Sequence, residues 1–274
     1  MLIEHTFRLN REIKMANIWI HEKRPLVIAH RGHGVAAPEN TLPAYSLAKE
    51  AGAEMIETDV NITKDGQLVI IHDWQLGRTT DIKGKVHEYS LDELRKADAG
   101  SWFDKKYAGE KIPTLEEAIK FGHNNNIYMC FEVKGGNPTQ AMEISTRLVE
   151  ALKKTDAFEW AFMSSYFHES LAEAKKRAPQ LMLAPERIPD DVEPDLDEAF
   201  RQVRYLNSNV LQIHYKYLYP SIVKAMREEG IALWAWPTTT EEEIVPAIKT
   251  GADGVMGDDP TLAVRLVNQL CSPA

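Results

Sequence analysis

The side chains of this sequence best suited to chemistry are two histidines, three carboxylates and two cations that recur at the ends of short apolar runs. His30 and Arg31 follow Val27-Ile-Ala, Glu57 and Asp59 sit within Met55–Ile62, His72 follows Leu68-Val-Ile-Ile, and Glu132 and Lys134 end the run that begins at Ile127. Residues two apart on a strand share a face, with backbones roughly 7 Å apart, so each charged pair projects to one side. Three carboxylates gathered without a cation would repel and raise one another's pKa, so their meeting implies a bound metal. All-oxygen ligands favour a hard divalent ion, Mg2+ or Ca2+, over zinc. Arg31 and Lys134 beside that ion suit an anionic substrate such as a phosphate ester. Two histidines, each with an ordinary pKa of about 6.5, can serve as acid and base across the bond that breaks. The chemistry these residues point to is metal-assisted phosphodiester cleavage.

Bringing them together requires a scaffold whose strand ends converge. Apolar runs rich in β-formers alternate with segments of helical period: Val27 to His30, Met55 to Ile62, Ile127 to Lys134, Ala161 to Ser165, Leu181 to Glu186, a weakly marked Tyr205 to Ile213, Ile231 to Pro237 and Gly254 to Gly257, with helices starting near Thr41, Thr114, Pro138, His168, Asp195, Ser221, Thr240 and Pro260. Thr114 with Glu117, Asp195 with Glu198 and Thr240 with Glu243 have capping-box spacing. Eight such alternations predict an α/β fold of the (β/α)8 TIM-barrel type, usually of roughly 250 residues, whose chemistry sits at the C-terminal strand ends. Lys64-Asp65-Gly66 predicts a hairpin turn after the second strand. Residues 74–112 then break the alternation and are read as a small inserted subdomain, helical over Ser90 to Ala97. Residues 1–24 are read as an N-terminal extension outside the core and 25–274 as the barrel.

Composition narrows the partners. The chain has 274 residues, with 32 Lys plus Arg against 41 Asp plus Glu and a formal charge of −9, which disfavours nucleic acid and anionic membrane surfaces. No stretch approaches the roughly 18 apolar residues of a membrane span. Cys130 and Cys271 form neither a disulfide framework nor a zinc pattern, which fits a reducing, cytoplasmic location. Nothing in the sequence indicates the oligomeric state.

The ordered set His30-Arg31-Gly32, Pro38-Glu39-Asn40-Thr41, Glu57-x-Asp59, Asp65-Gly66 with His72-Asp73, Leu76-x-Arg78-Thr79-Thr80, Gly100-Ser101-Trp102-Phe103, Ile112-Pro113-Thr114-Leu115-Glu116-Glu117 and Glu132-x-Lys134, with a weaker tail at Gly251-Ala-Asp253-Gly254 and Asp258-x-Pro260, resembles the glycerophosphodiester phosphodiesterases, barrels related to phosphatidylinositol-specific phospholipase C. The resemblance implies that Glu57, Asp59 and Glu132 bind the divalent ion, that His30 and His72 are general acid and base, and that Arg31 and Lys134 hold the phosphate. It implies a small glycerophosphodiester substrate and, as products, sn-glycerol 3-phosphate and an alcohol such as choline or ethanolamine. Two nucleophiles fit, the glycerol 2-hydroxyl by way of a cyclic phosphate, or water directly. A lysophospholipase D-type activity and a non-catalytic phosphodiester-binding barrel are the alternatives. The chain departs from the family where Trp-Thr-Val-Asn is usual, reading Trp234-Ala235-Trp236-Pro237, and carries Gly257 before Asp258 in place of Thr.

Among the remaining residues, Trp234 and Trp236 are candidates for lining the substrate, Trp74 and Trp102 read as packing, Cys130 as barrel filling, and Asn40 and Thr41 as a helix cap. His33, His87 and His123 read as surface residues.

Overall fold

The computed structural model describes residues 19–21 and 23–271. In chain order the strands are β1 (Leu26–His30), β2 (Met55–Ile62), β3 (Leu68–Ile70), β4 (Gln75–Leu76), β5 (Gly84–Lys85), β6 (Tyr128–Val133), β7 (Ala161–Ser164), β8 (Met182–Leu183), β9 (Val210–His214), β10 (Ala232–Trp236) and β11 (Gly254–Gly257). The α-helices are α1 (Leu42–Glu50), α2 (Leu91–Leu94), α3 (Leu115–Asn125), α4 (Pro138–Lys154), α5 (His168–Arg177), α6 (Leu196–Leu206), α7 (Pro220–Glu228), α8 (Glu241–Thr250) and α9 (Pro260–Cys271). Parallel strands follow the order β8-β7-β6-β2-β1-β11-β10-β9. The two ends meet where Glu186 bridges Gln212 and the Gln212 N–H donates to the Pro185 carbonyl at 2.8 Å. The result is the nearly closed (β/α)8 barrel that the alternation predicts.

Side-chain parity divides the core. Leu26, Ile28, Met55, Cys130, Phe162, Ala184, Val210, Ala232, Trp234 and Met256 fill the barrel interior, while Ile56, Val60, Met129, Phe131 and Val133 face outward onto Ala118, Ile144 and Leu148 of the helices. Each of the larger aliphatic chains among them stabilises the fold by about 1.5–3 kcal/mol. β2 is buried along its whole length, and so are the carboxylates it carries. Helix starts follow local chemistry: the Glu117 carboxylate accepts from the Thr114 N–H at 2.8 Å and Glu243 from the Thr240 N–H at 3.0 Å. At α6 the Asp195 side chain instead accepts from the Asp197 N–H, a simple cap where the spacing suggests a box.

Several sequence expectations change. Trp19 is 8% exposed and belongs to the interior cluster, its ring 5.0 Å from Tyr128 and 4.7 Å from Phe162. It closes the barrel floor, so the segment read as lying outside the core enters it at Trp19. Residues 1–18 lie outside the described residues. Tyr205, placed in the sixth strand, lies in α6 and is exposed, the strand beginning at Val210. The fifth strand shortens to Met182–Leu183, because Pro185 lacks the N–H a ladder needs. Between β3 and α3 the chain forms the antiparallel β4–β5 pair and α2, capped by Ser90 with Glu93. Its apolar residues pack in a separate cluster around Leu94 and Ile112. Trp74 and Trp102, read as packing, are about two-fifths exposed. His33 is buried, its Nε2 2.9 Å from the Thr261 hydroxyl, and is not a surface residue.

Candidate active site

Parallel registry levels the functional side chains. His30 pairs with Glu57 across β1 and β2, and Asp59 with Glu132 across β2 and β6. One ligand oxygen from each of Glu57, Asp59 and Glu132 lies within 4.8 Å of the others, and all three residues are buried. Glu57 Oε1 and Asp59 Oδ1 are buried and accept no hydrogen bond. Buried carboxylate oxygens that converge without a hydrogen-bond partner fit a hard divalent cation. The three would hold it, leaving the rest of its oxygen shell to water or substrate.

The electrostatics split the triad. Burial, then repulsion from Asp59 and Glu132, pushes the Glu57 carboxyl well above its ordinary value. For Asp59 burial acts the same way, but Lys134, Arg31, His72 and the Asn40 amide overcome it and hold the group below the usual carboxylate range. Burial works against the Arg31 and Lys134 charges. In both cases neighbouring carboxylates prevail and raise the pKa, Asp59, Glu57 and Glu39 for Arg31, and Glu132, Asp59 and Glu57 for Lys134. Lys134 Nζ lies 2.8 Å from Glu132 Oε1 and 3.5 Å from Asp59 Oδ1, and Arg31 Nε lies 3.2 Å from Asp59 Oδ2.

Each histidine has an acidic partner on its Nδ1 side. His30 Nδ1 is 2.6 Å from Asp258 Oδ1, which leaves Nε2 toward the triad, 3.9 Å from Glu57 Oε2. His72 Nδ1 is 2.6 Å from Asp73 Oδ1. In both the carboxylate fixes the ring orientation and leaves Nε2 free of that bond. The His72 loop is held by Asn61, whose amide donates to the Ile71 and His72 carbonyls.

All seven residues singled out by the sequence therefore meet at the C-terminal mouth. The two tryptophans part company. Trp234 is fully buried in the barrel interior against Phe162, ring centroids 5.2 Å apart, so it is packing and does not line a substrate. Trp236, one layer higher, is partly exposed and stands edge-on to Tyr166 and His214. Gly257 has a local cause, since a Cβ there would lie 2.0 Å from the Thr238 carbonyl oxygen. Thr in its place could not fit.

Other contributors were legible only as parts of motifs. Asn40, read as a cap, donates from its amide to Asp59 Oδ2 at 2.6 Å while its oxygen accepts from the Thr58 hydroxyl and the Asp59 N–H. Thr41 is the cap, accepting from the Ala44 N–H. Asp73, Arg78 and Glu39 form an ion-paired edge beside His72 and Arg31. Glu186 adds a fourth buried carboxyl, pushed up first by burial and then by Glu132, with Oε2 unpaired. The signal for it was inward parity with Ala184 at a strand end.

A (β/α)8 barrel whose mouth gathers an acidic triad, two cations and two carboxylate-paired histidines has the make-up of a barrel phosphodiesterase. Residues 30–262 match the Glycerophosphoryl diester phosphodiesterase family, and the chain belongs to that family of phosphoric diester hydrolases. It is 36% identical over 246 residues to a glycerophosphodiester phosphodiesterase of Caldanaerobacter subterraneus subsp. tengcongensis, covering 90% of this chain and 99% of that one. A glycerophosphodiester phosphodiesterase of Bacillus subtilis is 30% identical, with 87% and 85% covered. Among solved structures, an Oleispira antarctica phosphodiesterase in complex with the product sn-glycerol-3-phosphate superposes with a TM-score of 0.80 at 30% identity, over 89% of this chain and 97% of that chain. Among the described residues no helix is long and apolar enough to cross a membrane.

Proposed function

We propose that the protein hydrolyses small glycerophosphodiesters to sn-glycerol 3-phosphate and an alcohol, with a divalent ion, Mg2+ or Ca2+, held by Glu57, Asp59 and Glu132. The observation that carries this reading is the pair of histidines, each set by a carboxylate 2.6 Å away, beside a buried triad with orphaned oxygens. The product bound by the Oleispira antarctica phosphodiesterase supports the same substrate class. A bound ion would draw charge from the phosphoryl oxygens. Arg31 and Lys134 bind the phosphate by charge-assisted hydrogen bonds. One histidine takes the proton of the nucleophile, either water or the glycerol 2-hydroxyl whose cyclic phosphate water then opens, and the other returns one to the leaving alcohol oxygen, with Asp258 and Asp73 holding the ring orientation and stabilising the imidazolium that forms. Trp236 at the rim borders the leaving alcohol.

Released glycerol 3-phosphate, measured on a panel of glycerophosphodiesters and lysolipids with and without chelator, tests the reading. Chelator-sensitive turnover of the water-soluble diesters is expected. Turnover indifferent to chelation would remove the metal, and turnover confined to lysolipids would replace the substrate class.

A further inference from the structure

We propose that Arg78 is a positioning residue that fixes Arg31 and His72 relative to each other across the mouth. The inference rests on the phosphodiesterase reading, because these are the groups which that reading assigns to phosphate binding and proton transfer.

Arg78 lies on the loop between β4 and β5, away from every barrel strand. Its guanidinium nevertheless joins both sides of the site. Its terminal nitrogens lie 2.7 and 2.8 Å from the two oxygens of Glu39, and its Nε lies 2.6 Å from Asp73 Oδ2. Glu39 Oε1 in turn accepts from Arg31 at 2.9 Å, and Asp73 Oδ1 lies 2.6 Å from His72 Nδ1. The path His72–Asp73–Arg78–Glu39–Arg31 is thus continuous, and it ends on Asp59 through Arg31 Nε. Two edges of the Arg78 fork are engaged by two bonds each, to Glu39 and to Asp73, a planar two-sided geometry that a lysine ammonium cannot reproduce.

Two alternatives frame the choice. Arg78 could be one more surface ion pair, since its side chain is 46% exposed and such pairs add little to stability. In that case removing it would change neither melting nor rate. Arg78 could instead be a structural tie for the β4–β5 segment, and then rate and stability would fall together. The path predicts a third pattern, because displacing a phosphate ligand or proton-transfer group by about 1 Å can cost roughly 10²-fold in rate with little change in stability. His30 and its partner Asp258 lie off this path and should keep their arrangement.

Wild type is assayed first on a glycerophosphodiester with its metal. No turnover there would refute the phosphodiesterase reading itself. With active wild type, Arg78→Gln is expected to lower kcat by about 10- to 100-fold and raise KM severalfold, with a melting temperature within a few degrees of wild type. Arg78→Lys should recover less than threefold of the loss, whereas Arg78→Ala should recover at least tenfold on adding guanidinium and none on adding ammonium at equal ionic strength. Glu39→Gln should cost much less in the Arg78→Gln background than in wild type, because the path is already cut. Full activity of Arg78→Gln, full rescue by Arg78→Lys, or independent effects of Glu39 and Arg78 would each overturn the proposal. If Arg78→Gln does not fold, Arg78→Lys, which keeps the charge, carries the test: wild-type kcat refutes, and a tenfold loss in a folded protein supports.

Discussion

Glu57→Gln should make the metal-free protein more stable while removing its metal response. Glu57 is 2% exposed and shares a pocket with Asp59 and Glu132, their ligand oxygens within 4.8 Å. At that spacing two unit charges repel by about 3.5 kcal/mol at an effective dielectric of about 20. Arg31 and Lys134 offset much of this, so neutralising one of the three is worth on the order of 1–3 kcal/mol. Gln keeps an acceptor for the Arg31 N–H, 3.2 Å from Glu57 Oε2, and turns donors toward the neighbouring carboxylates. At about 2–4 °C per kcal/mol for a chain of this size, melting of the metal-free variant should rise by several degrees at pH 8. The folded-state pKa of Glu57 lies above its ordinary 4.5, so folding retains a proton the unfolded chain would release. Its contribution therefore falls as pH rises from about 4.5 through the folded value, and the gain in the variant should vanish below that window. Wild type should gain about 2.7 kcal/mol at a hundredfold excess of ion over Kd, and the variant almost nothing. The assay is thermal melting at pH 4 and 8, with chelator and with Mg2+ or Ca2+. A metal-free variant less stable than wild type at pH 8, or one with an undiminished metal shift, would refute the reasoning.

Asn40→Ala should weaken metal binding by about 10- to 100-fold, measured by calorimetry, because the amide that orients Asp59 is lost. Ion affinity should fall as pH drops through the raised pKa of Glu57, and binding should release a proton in that window, read as buffer-dependent heat; heat independent of buffer would contradict the assignment. Gly32→Ala should cost about 2–4 kcal/mol in denaturant melts, since φ is +87° there and a Cβ would lie 2.8 Å from the Ala44 backbone carbon.

The eight β/α alternations were legible because each barrel strand is a short apolar run bounded by turn residues. The exceptions have physical causes. Pro185 cuts β8 short, and Val210–His214 is preceded by a helix whose last turn reads like a strand. Site residues were legible where two functional groups sit at period-two spacing on one strand, as with Glu57 and Asp59. Loop residues carry no such period, so Glu39, Asn40, Asp73 and Arg78 could be seen only as letters in motifs, and their ion pairs emerge from the fold. The motifs also mix purposes. Asp253 sits on the barrel floor, accepting from the His21 and Leu233 N–H groups and from Arg227, and holds strands together far from the mouth. Asp258, five residues on, orients His30.

His30 and Arg31 are adjacent, and on an extended strand adjacent side chains point to opposite faces. Both reach the mouth because the chain leaves the strand at Arg31, with φ of 57°, and turns again at Gly32. For Arg31 that conformation costs about 1–2 kcal/mol, whereas Asn40, with φ of 59°, is of the residue type that tolerates it best after glycine. The two are clamped to each other, the Asn40 N–H donating to the Arg31 carbonyl at 2.9 Å while the Arg31 N–H donates to the Glu57 carbonyl at 2.9 Å. Arg31 then meets Asp59 through its guanidinium, and Asn40 meets the same carboxylate through its amide. The ten residues between His30 and Thr41 thus form a fold-back tied to one buried aspartate by an ion pair from Arg31 and a hydrogen bond from Asn40. Neutralising Asp59 would weaken both arms at once, leaving Arg31 its bond to Glu39 and Asn40 its bonds to Thr58 and the Asp59 N–H.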